Sequence, residues 1–116
     1  MNELIETIFK DFKVNGVAIP VSFLRYGGKS TTYITYMEWD KTNSYSGDDE
    51  ILGYVSFYDF DIYSKGNYLA IVEEVKKVMK NNGFTWQPSR DSRDMYEDDT
   101  GYYHKTLCFA IERGNE

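Results

Sequence analysis

The stretch Leu52–Tyr63 reads LGYVSFYDFDIY, and its second half decides the fold. Tyr58, Phe60 and Ile62 alternate with Asp59, Asp61 and Tyr63. A repeat of two predicts a strand with one buried and one wet face, the habit of antiparallel sheets. Upstream, Tyr33–Lys41 (YITYMEWDK) is similarly rich in aromatic and β-branched residues. Tyr33, Thr35, Met37 and Trp39 share one face of that strand, and Ile34, Tyr36, Glu38 and Asp40 the other. Between the two runs, Asn43–Glu50 (NSYSGDDE) is polar and acidic and predicts a long, flexible tip. The whole of 33–63 is therefore expected to form a long β-hairpin.

Outward from the hairpin, helical spacing takes over. Ser64-Lys65-Gly66-Asn67 is turn chemistry, with Asn67 or Ser64 as N-cap. Tyr68, Ile71, Val72, Val75, Val78 and Met79 then lie on one face of a helix, opposite Glu73, Glu74, Lys76, Lys77 and Lys80. Acids early and lysines late suit the helix dipole, and Asn81-Asn82-Gly83 stops the helix. At the N-terminus, Leu4, Ile5, Ile8, Phe9 and Phe12 predict a first helix over 2–13, closed by Asn15-Gly16. Pro20 cannot donate to a ladder, which places a strand after it, at Val21–Arg25. Phe84–Arg93 is a strand weakened by Pro88, and Met95–Gly101 is an acidic turn with its apex at Asp99-Thr100-Gly101. Tyr102–Arg113 closes the fold as a strand whose Leu107, Phe109 and Ile111 face the core. The expectation is one α+β domain over 1–116, in the order α-β-β-β-α-β-β. Its mainly antiparallel sheet is packed by two helices.

Charge and composition narrow the function. The 19 acids and 13 bases give a net charge of −6, and the bases are scattered. Gripping phosphates calls for a basic stripe, so sequence-specific nucleic-acid binding and docking to anionic membranes are both disfavoured. Tyrosine is abundant, at 11 of 116 residues. Its apolar ring with a wet hydroxyl suits half-buried sheet faces and protein interfaces. Neither a charged-then-apolar leader nor a long apolar run is present, which predicts no signal peptide, no membrane span and a cytoplasmic setting.

No chemistry-bearing motif survives its spacing. Cys108 lies between Leu107 and Phe109 as a small core or face residue, and no base stands beside it in sequence. His104 sits inside a strand with no serine or cysteine arranged around it as a nucleophile. One His and one Cys cannot make the usual zinc sets. Asp94, Glu97, Asp98 and Asp99 lack the spacing of a calcium loop, as do Asp48, Asp49 and Glu50. Gly27-Gly28-Lys29-Ser30 lacks the first glycine of a phosphate loop and a following helix. The expectation is no enzyme activity, no metal and no cofactor. What remains is a hairpin on which aromatics and carboxylates interleave. Tyr45, Asp48, Asp49, Glu50 and Tyr54 are the expected assembly interface, and Asp59 and Asp61 an acidic face.

Several phrases together resemble a known family. They are the N-terminal helix, the Pro20–Arg25 strand, YITYMEWDK at Tyr33–Lys41 and YVSFYDFDIYSK at Tyr54–Lys65. The Tyr68–Met79 helix, Gly83-Phe84 and YYHKTLCFAIE at Tyr102–Glu112 complete the set. In this the chain resembles the small tail-completion proteins (tail-terminator or head–tail joining) of long-tailed phages and of prophages in Gram-positive bacteria. The resemblance implies a sheet flanked by helices and self-assembly into a ring, commonly hexameric. It implies a ring that ends the tail tube and docks head-completion or connector proteins, in a virion tail assembled in the host cytoplasm. Under it, Asp59, Asp61 and the 48–50 loop are expected to face the ring lumen or a subunit boundary, where acids would let DNA slide. The competing expectation is a small cytoplasmic protein-binding or regulatory domain that acts as a monomer or dimer through the same aromatic face.

Overall fold

The computed structural model describes the backbone of residues 2–47 and 50–114 and the side chains of 3–39 and 53–112. The chain runs α1 (Asn2–Ile8), β1 (Lys13–Val14), β2 (Val17–Ala18), β3 (Val21–Phe23), β4 (Tyr33–Gly47) and β5 (Glu50–Ser64). It continues through α2 (Tyr68–Asn81), β6 (Thr85–Trp86), a 3-10 turn at Pro88–Arg90, β7 (Met95–Glu97) and β8 (Tyr102–Gly114). The main sheet has the order β3-β4-β5-β8-β6, and β7 also pairs with β8. Among the described residues, only the β3–β4 pairing is parallel. The α+β class and the mainly antiparallel sheet with two helices are as the sequence predicts.

Both helices lie on one face of the sheet. α2 buries Ile71, Val72, Val75 and Met79, the stripe its spacing announces. Asn67 caps it by accepting from the Ala70 N–H at 3.5 Å, and Gly83 leaves it with φ +87°. Beneath the helices lie Ile34 and Tyr36 of β4, Tyr58, Phe60 and Ile62 of β5, and Leu107 and Phe109 of β8. Phe60 is the hub of this layer. Its ring centroid lies 5.6 Å from Phe9, 5.6 Å from Tyr36 and 5.7 Å from Phe109.

Several expectations need correction. The first helix ends at Ile8, not Lys13. Phe9 and Phe12 still reach the core, but the chain tightens because the Phe12 carbonyl must accept from the Ile19 N–H at 3.0 Å. Asn15-Gly16 is therefore a hairpin turn, not a helix stop. Both residues hold positive φ (52° and 80°), as a two-residue turn requires, and pair Val14 with Val17. β3 ends at Phe23, not Arg25, because Leu24 adopts φ +65° and the Arg25 N–H bonds the Phe23 carbonyl at 2.7 Å. Phe84–Arg93 keeps only two strand residues, since Pro88 starts a 3-10 turn, whereas Met95–Glu97, read as turn, adds a strand against β8. The expected apex holds, with Gly101 at φ +76°.

A further correction concerns the hairpin. Asn43–Glu50 is not a long loop, because β4 and β5 stay paired as far as Gly47↔Glu50. Register shifts at 38–40 and 43–46 twist the ribbon along the way. Strands of 15 residues each make the molecule long, at 53 × 27 × 24 Å.

Candidate functional site

The sheet face away from the helices carries the polar and aromatic residues of β5 and its neighbours. The register sets their order. Asp59 lies beside Met37 and Cys108, Asp61 beside Thr35 and Thr106, and Tyr63 beside Tyr33 and His104.

Asp61 is the polar centre of this face. Thr106 donates its hydroxyl to Asp61 Oδ1 at 2.5 Å, and His104 Nε2 lies 3.0 Å from the same oxygen. Burial pushes the Asp61 carboxyl up, but the hydrogen bonds from His104 and Thr106, with the His104 charge, outweigh it and hold the group below its usual range. Asp59 moves the other way. Burial and the nearby Asp61 charge raise its carboxyl, and a hydrogen bond with Cys108 only partly offsets them. Neither carboxylate stands on the freely exposed strand face that alternation suggests. Both are half-buried, because the segment after Pro88 folds beside β8 and Arg90 reaches over Phe57 and Trp39, 4.5 and 5.0 Å from their ring centroids.

Cys108 and His104 do not form a nucleophile–base pair. Cys108 is buried, and burial raises its thiol above the ordinary value, away from the reactive thiolate. Trp39 Nε1 donates to its sulfur at 3.4 Å. His104, four strand residues away on the same face, is about 13 Å distant by strand rise and engaged with Asp61. Among the described residues, no three His, Cys, Asp or Glu side chains converge as metal ligands. Among them, too, no helix is long and apolar enough to cross a membrane.

The same face ends in an aromatic stack. Tyr26 stacks on Tyr33 at 4.8 Å, Tyr33 on Tyr63 at 4.9 Å, and Tyr63 on His104 at 4.2 Å, so four rings run across a loop and three strands. Tyr102 meets Tyr33 and Tyr63 edge-on. The loop is built to deliver Tyr26: the Ser30 N–H donates to its hydroxyl at 2.9 Å, and the ring folds over Gly28. A Cβ at Gly28 would overlap the Tyr26 hydroxyl. Gly28→Ala should therefore displace Tyr26 and cost about 1 kcal/mol through the lost Ser30 bond. Thermal melting reads the cost, and an unmoved Tyr33 ring resonance would refute the displacement. The four tyrosines, with Leu24, Arg25, Thr35, Glu97 and Thr100, line a cleft of about 380 Å³.

The other expected site residues lie on the hairpin arm. Tyr54 is half-buried on β5, paired in register with Asn43 and Arg113. Tyr45 and Glu50 occupy β4 and β5 positions whose side chains fall outside the described set, and Asp48 and Asp49 lie outside the described residues. The cleft itself escaped the sequence reading. Tyr26, Tyr33, Tyr63 and Tyr102 are far apart in the chain, and only the two strand registers bring them together. The available signal was the density of tyrosines at strand ends.

The two edges of the sheet differ. β8 is sealed on its outer side from Tyr102 to Ala110: β7 and β6 pair at the ends, the Gln87 and Ser92 N–H groups donate to Cys108 and Thr106, and Asp91 and Ser92 side chains accept in return. β4 is covered by β3 only from Ile34 to Tyr36. From Met37 to Gly47, no strand among the described residues pairs with its outer edge. Compared with known proteins, the chain matches no protein-family model and no curated protein.

Proposed function

We propose that this chain is a non-enzymatic structural subunit of the tail-terminator or tail-completion type. It assembles with copies of itself into a ring, ends a phage tail tube and joins the tube to the head. The observation that carries the reading is the β4 edge, which from Met37 to Gly47 pairs with no outer strand among the described residues, along a paired 15-residue arm. An exposed edge this long is a standing template for another chain, and proteins that stay monomeric usually blunt or cover it. Among the described residues the opposite edge is covered along β8 from Tyr102 to Ala110, whereas β4 pairs with no outer strand beyond Tyr36, an asymmetry that supports pairing through β4. The net charge of −6 supports the ring reading, since an acidic lumen lets DNA slide without gripping it. Asp59 and Asp61 and the acids near the arm tip are assigned to the lumen or to subunit boundaries. Tyr45, Tyr54 and Glu50, on the arm strands, are assigned to the assembly interface, with Asp48 and Asp49.

Backbone alternation selects the test. The Ile34 N–H and the Tyr36 carbonyl both point outward, to Pro20 and Leu24, and two residues on the Glu38 N–H points the same way. A proline there removes a donor that the subunit itself does not use. Glu38→Pro should leave the melting transition near that of the parent while abolishing rings, seen by sedimentation and electron microscopy. Added to polymerising tube protein of the phage that carries it, the parent should cap the tubes at a defined length. Tubes that grow on unchecked would exclude the terminator role. A discrete monomer or dimer that never binds tubes would favour the small protein-binding domain instead.

A further inference from the structure

We infer that the segment after β3 is a strap that closes over the start of the β4 edge, where Met37 and Glu38 pair with no outer strand among the described residues, and so regulates pairing there. The inference deepens the assembly reading and rests on it for the role of that edge.

Strain marks the strap. Val21, Ser22 and Phe23 lie in parallel register beside Ile34, Thr35 and Tyr36. The Leu24 N–H still donates to the Tyr36 carbonyl at 3.0 Å, but the Arg25 N–H turns back onto the Phe23 carbonyl at 2.7 Å. A three-residue turn closed around φ +65° is the strained kind of γ-turn, and leucine lacks the freedom of glycine there. Leu24 is 58 % exposed, so burial of its side chain does not offset the strain. The turn is held from further along. Tyr26 stacks on Tyr33 at 4.8 Å, and its hydroxyl accepts from the Ser30 N–H at 2.9 Å.

The same register defines the closed state. With Leu24 relaxed to extended backbone, β3 continues, setting Leu24 beside Met37 and Arg25 beside Glu38. The Ile34 N–H donates to the Pro20 carbonyl, and by parallel alternation the Glu38 N–H then donates to the Leu24 carbonyl. Arg25 and Glu38 are both exposed, and neither enters an ion pair among the described residues. Closure makes them opposite charges on adjacent strands. The loop is long enough. Eight residue steps from Arg25 to Tyr33 reach roughly 26 Å, against the roughly 17 Å that β4 rises over five residues. Closure ends at Glu38, because the register shift between Glu38 and Asp40 breaks the ladder.

The strap is open in this structure, with Tyr26 on Tyr33 as its latch. Closed, it occupies the Glu38 N–H, the donor that the edge offers to another chain, and blunts the edge before assembly.

The test compares two variants of the intact protein. Leu24→Gly removes the strain of the turn and favours the open strap, whereas Leu24→Val carries a branched side chain that tolerates positive φ poorly and favours the closed one. Both replace an exposed side chain and should fold. Amide exchange at Glu38, followed by NMR, should be about five-fold slower in Leu24→Val than in Leu24→Gly, and Leu24→Gly should form rings at about five-fold lower concentration. Tyr26→Ala releases the latch and should slow Glu38 exchange as Leu24→Val does. Arg25→Glu added to Leu24→Val sets like charges side by side and should restore fast exchange. Equal Glu38 exchange in the glycine and valine variants would overturn the strap, whether or not rings form. A difference in exchange with identical assembly would overturn its regulatory role. Glu38 exchange that responds while neither the parent nor any variant forms rings supports closure and sinks the assembly reading instead, so the two fail separately.

Discussion

Phe60→Ala should destabilise the domain by about 4 kcal/mol, the largest loss expected of any single truncation here. Phe60 is fully buried and shares ring contacts with Phe9 after α1, Tyr36 on β4 and Phe109 on β8. Removing it deletes apolar area and leaves a hole that four separate elements would have to close. Strands held by their ladders move little, so the cavity persists and its cost adds to the lost transfer energy. For a domain of this size the melting temperature should fall by roughly 15 °C. Phe60→Leu keeps most of the volume and should lose less than half as much. Equal losses for the two variants in urea melts would mean that the aromatic contacts, not the cavity, carry the energy.

Asp61→Ala should cost about 2 kcal/mol, by a different route. The substitution strands the Thr106 hydroxyl and the His104 ring nitrogen, both half-buried, without their shared acceptor. Its pH dependence identifies the mechanism. Because the folded-state value of Asp61 is lowered, its stabilisation is fully present above the ordinary carboxylate value and is lost as pH falls through the folded one. Asp59, raised in the fold, behaves oppositely: its contribution is present below the ordinary value and is lost as pH rises through the folded one. At neutral pH, then, Asp61→Asn should destabilise and Asp59→Asn should stabilise, although the two residues are neighbours on one strand face. Both differences should shrink in acid. Urea denaturation from pH 3 to pH 7 measures them, and two variants that moved in the same direction at pH 7 would refute the assignment.

These two sites mark how far the sequence could be read. Tyr58, Phe60 and Ile62 announced the buried face of β5 because side-chain alternation is local, and the Ile71-Val72-Val75-Met79 stripe announced α2 for the same reason. The opposite face was legible as polar but not as a network. Asp61 looks solvated until β8 supplies His104 and Thr106 from more than 40 residues away and the chain after Pro88 shields the strand.

Turn chemistry is ambiguous where one dipeptide can serve two purposes. Asn15-Gly16 can close a helix or turn a hairpin, because both need positive φ, and the choice fell to the Phe12 carbonyl and its partner Ile19. The polar composition of 43–50 likewise predicts a loop. As far as Gly47 the segment runs as strand because β5 offers it a ladder, and backbone hydrogen bonds do not depend on side-chain polarity.

By itself, then, the sequence determined the α+β class, the core faces of β5, β8 and α2, and the acidic, tyrosine-rich character of the surface. All of these follow from periodicity and composition within one segment. Only the tertiary structure decided that, among the described residues, β4 has no outer strand beyond Tyr36 while β8 is covered from Tyr102 to Ala110, and that four distant tyrosines close on one cleft. Both depend on which strands lie side by side and in what register. A shift of one residue would send the Tyr33–Tyr63–His104 row to the other face.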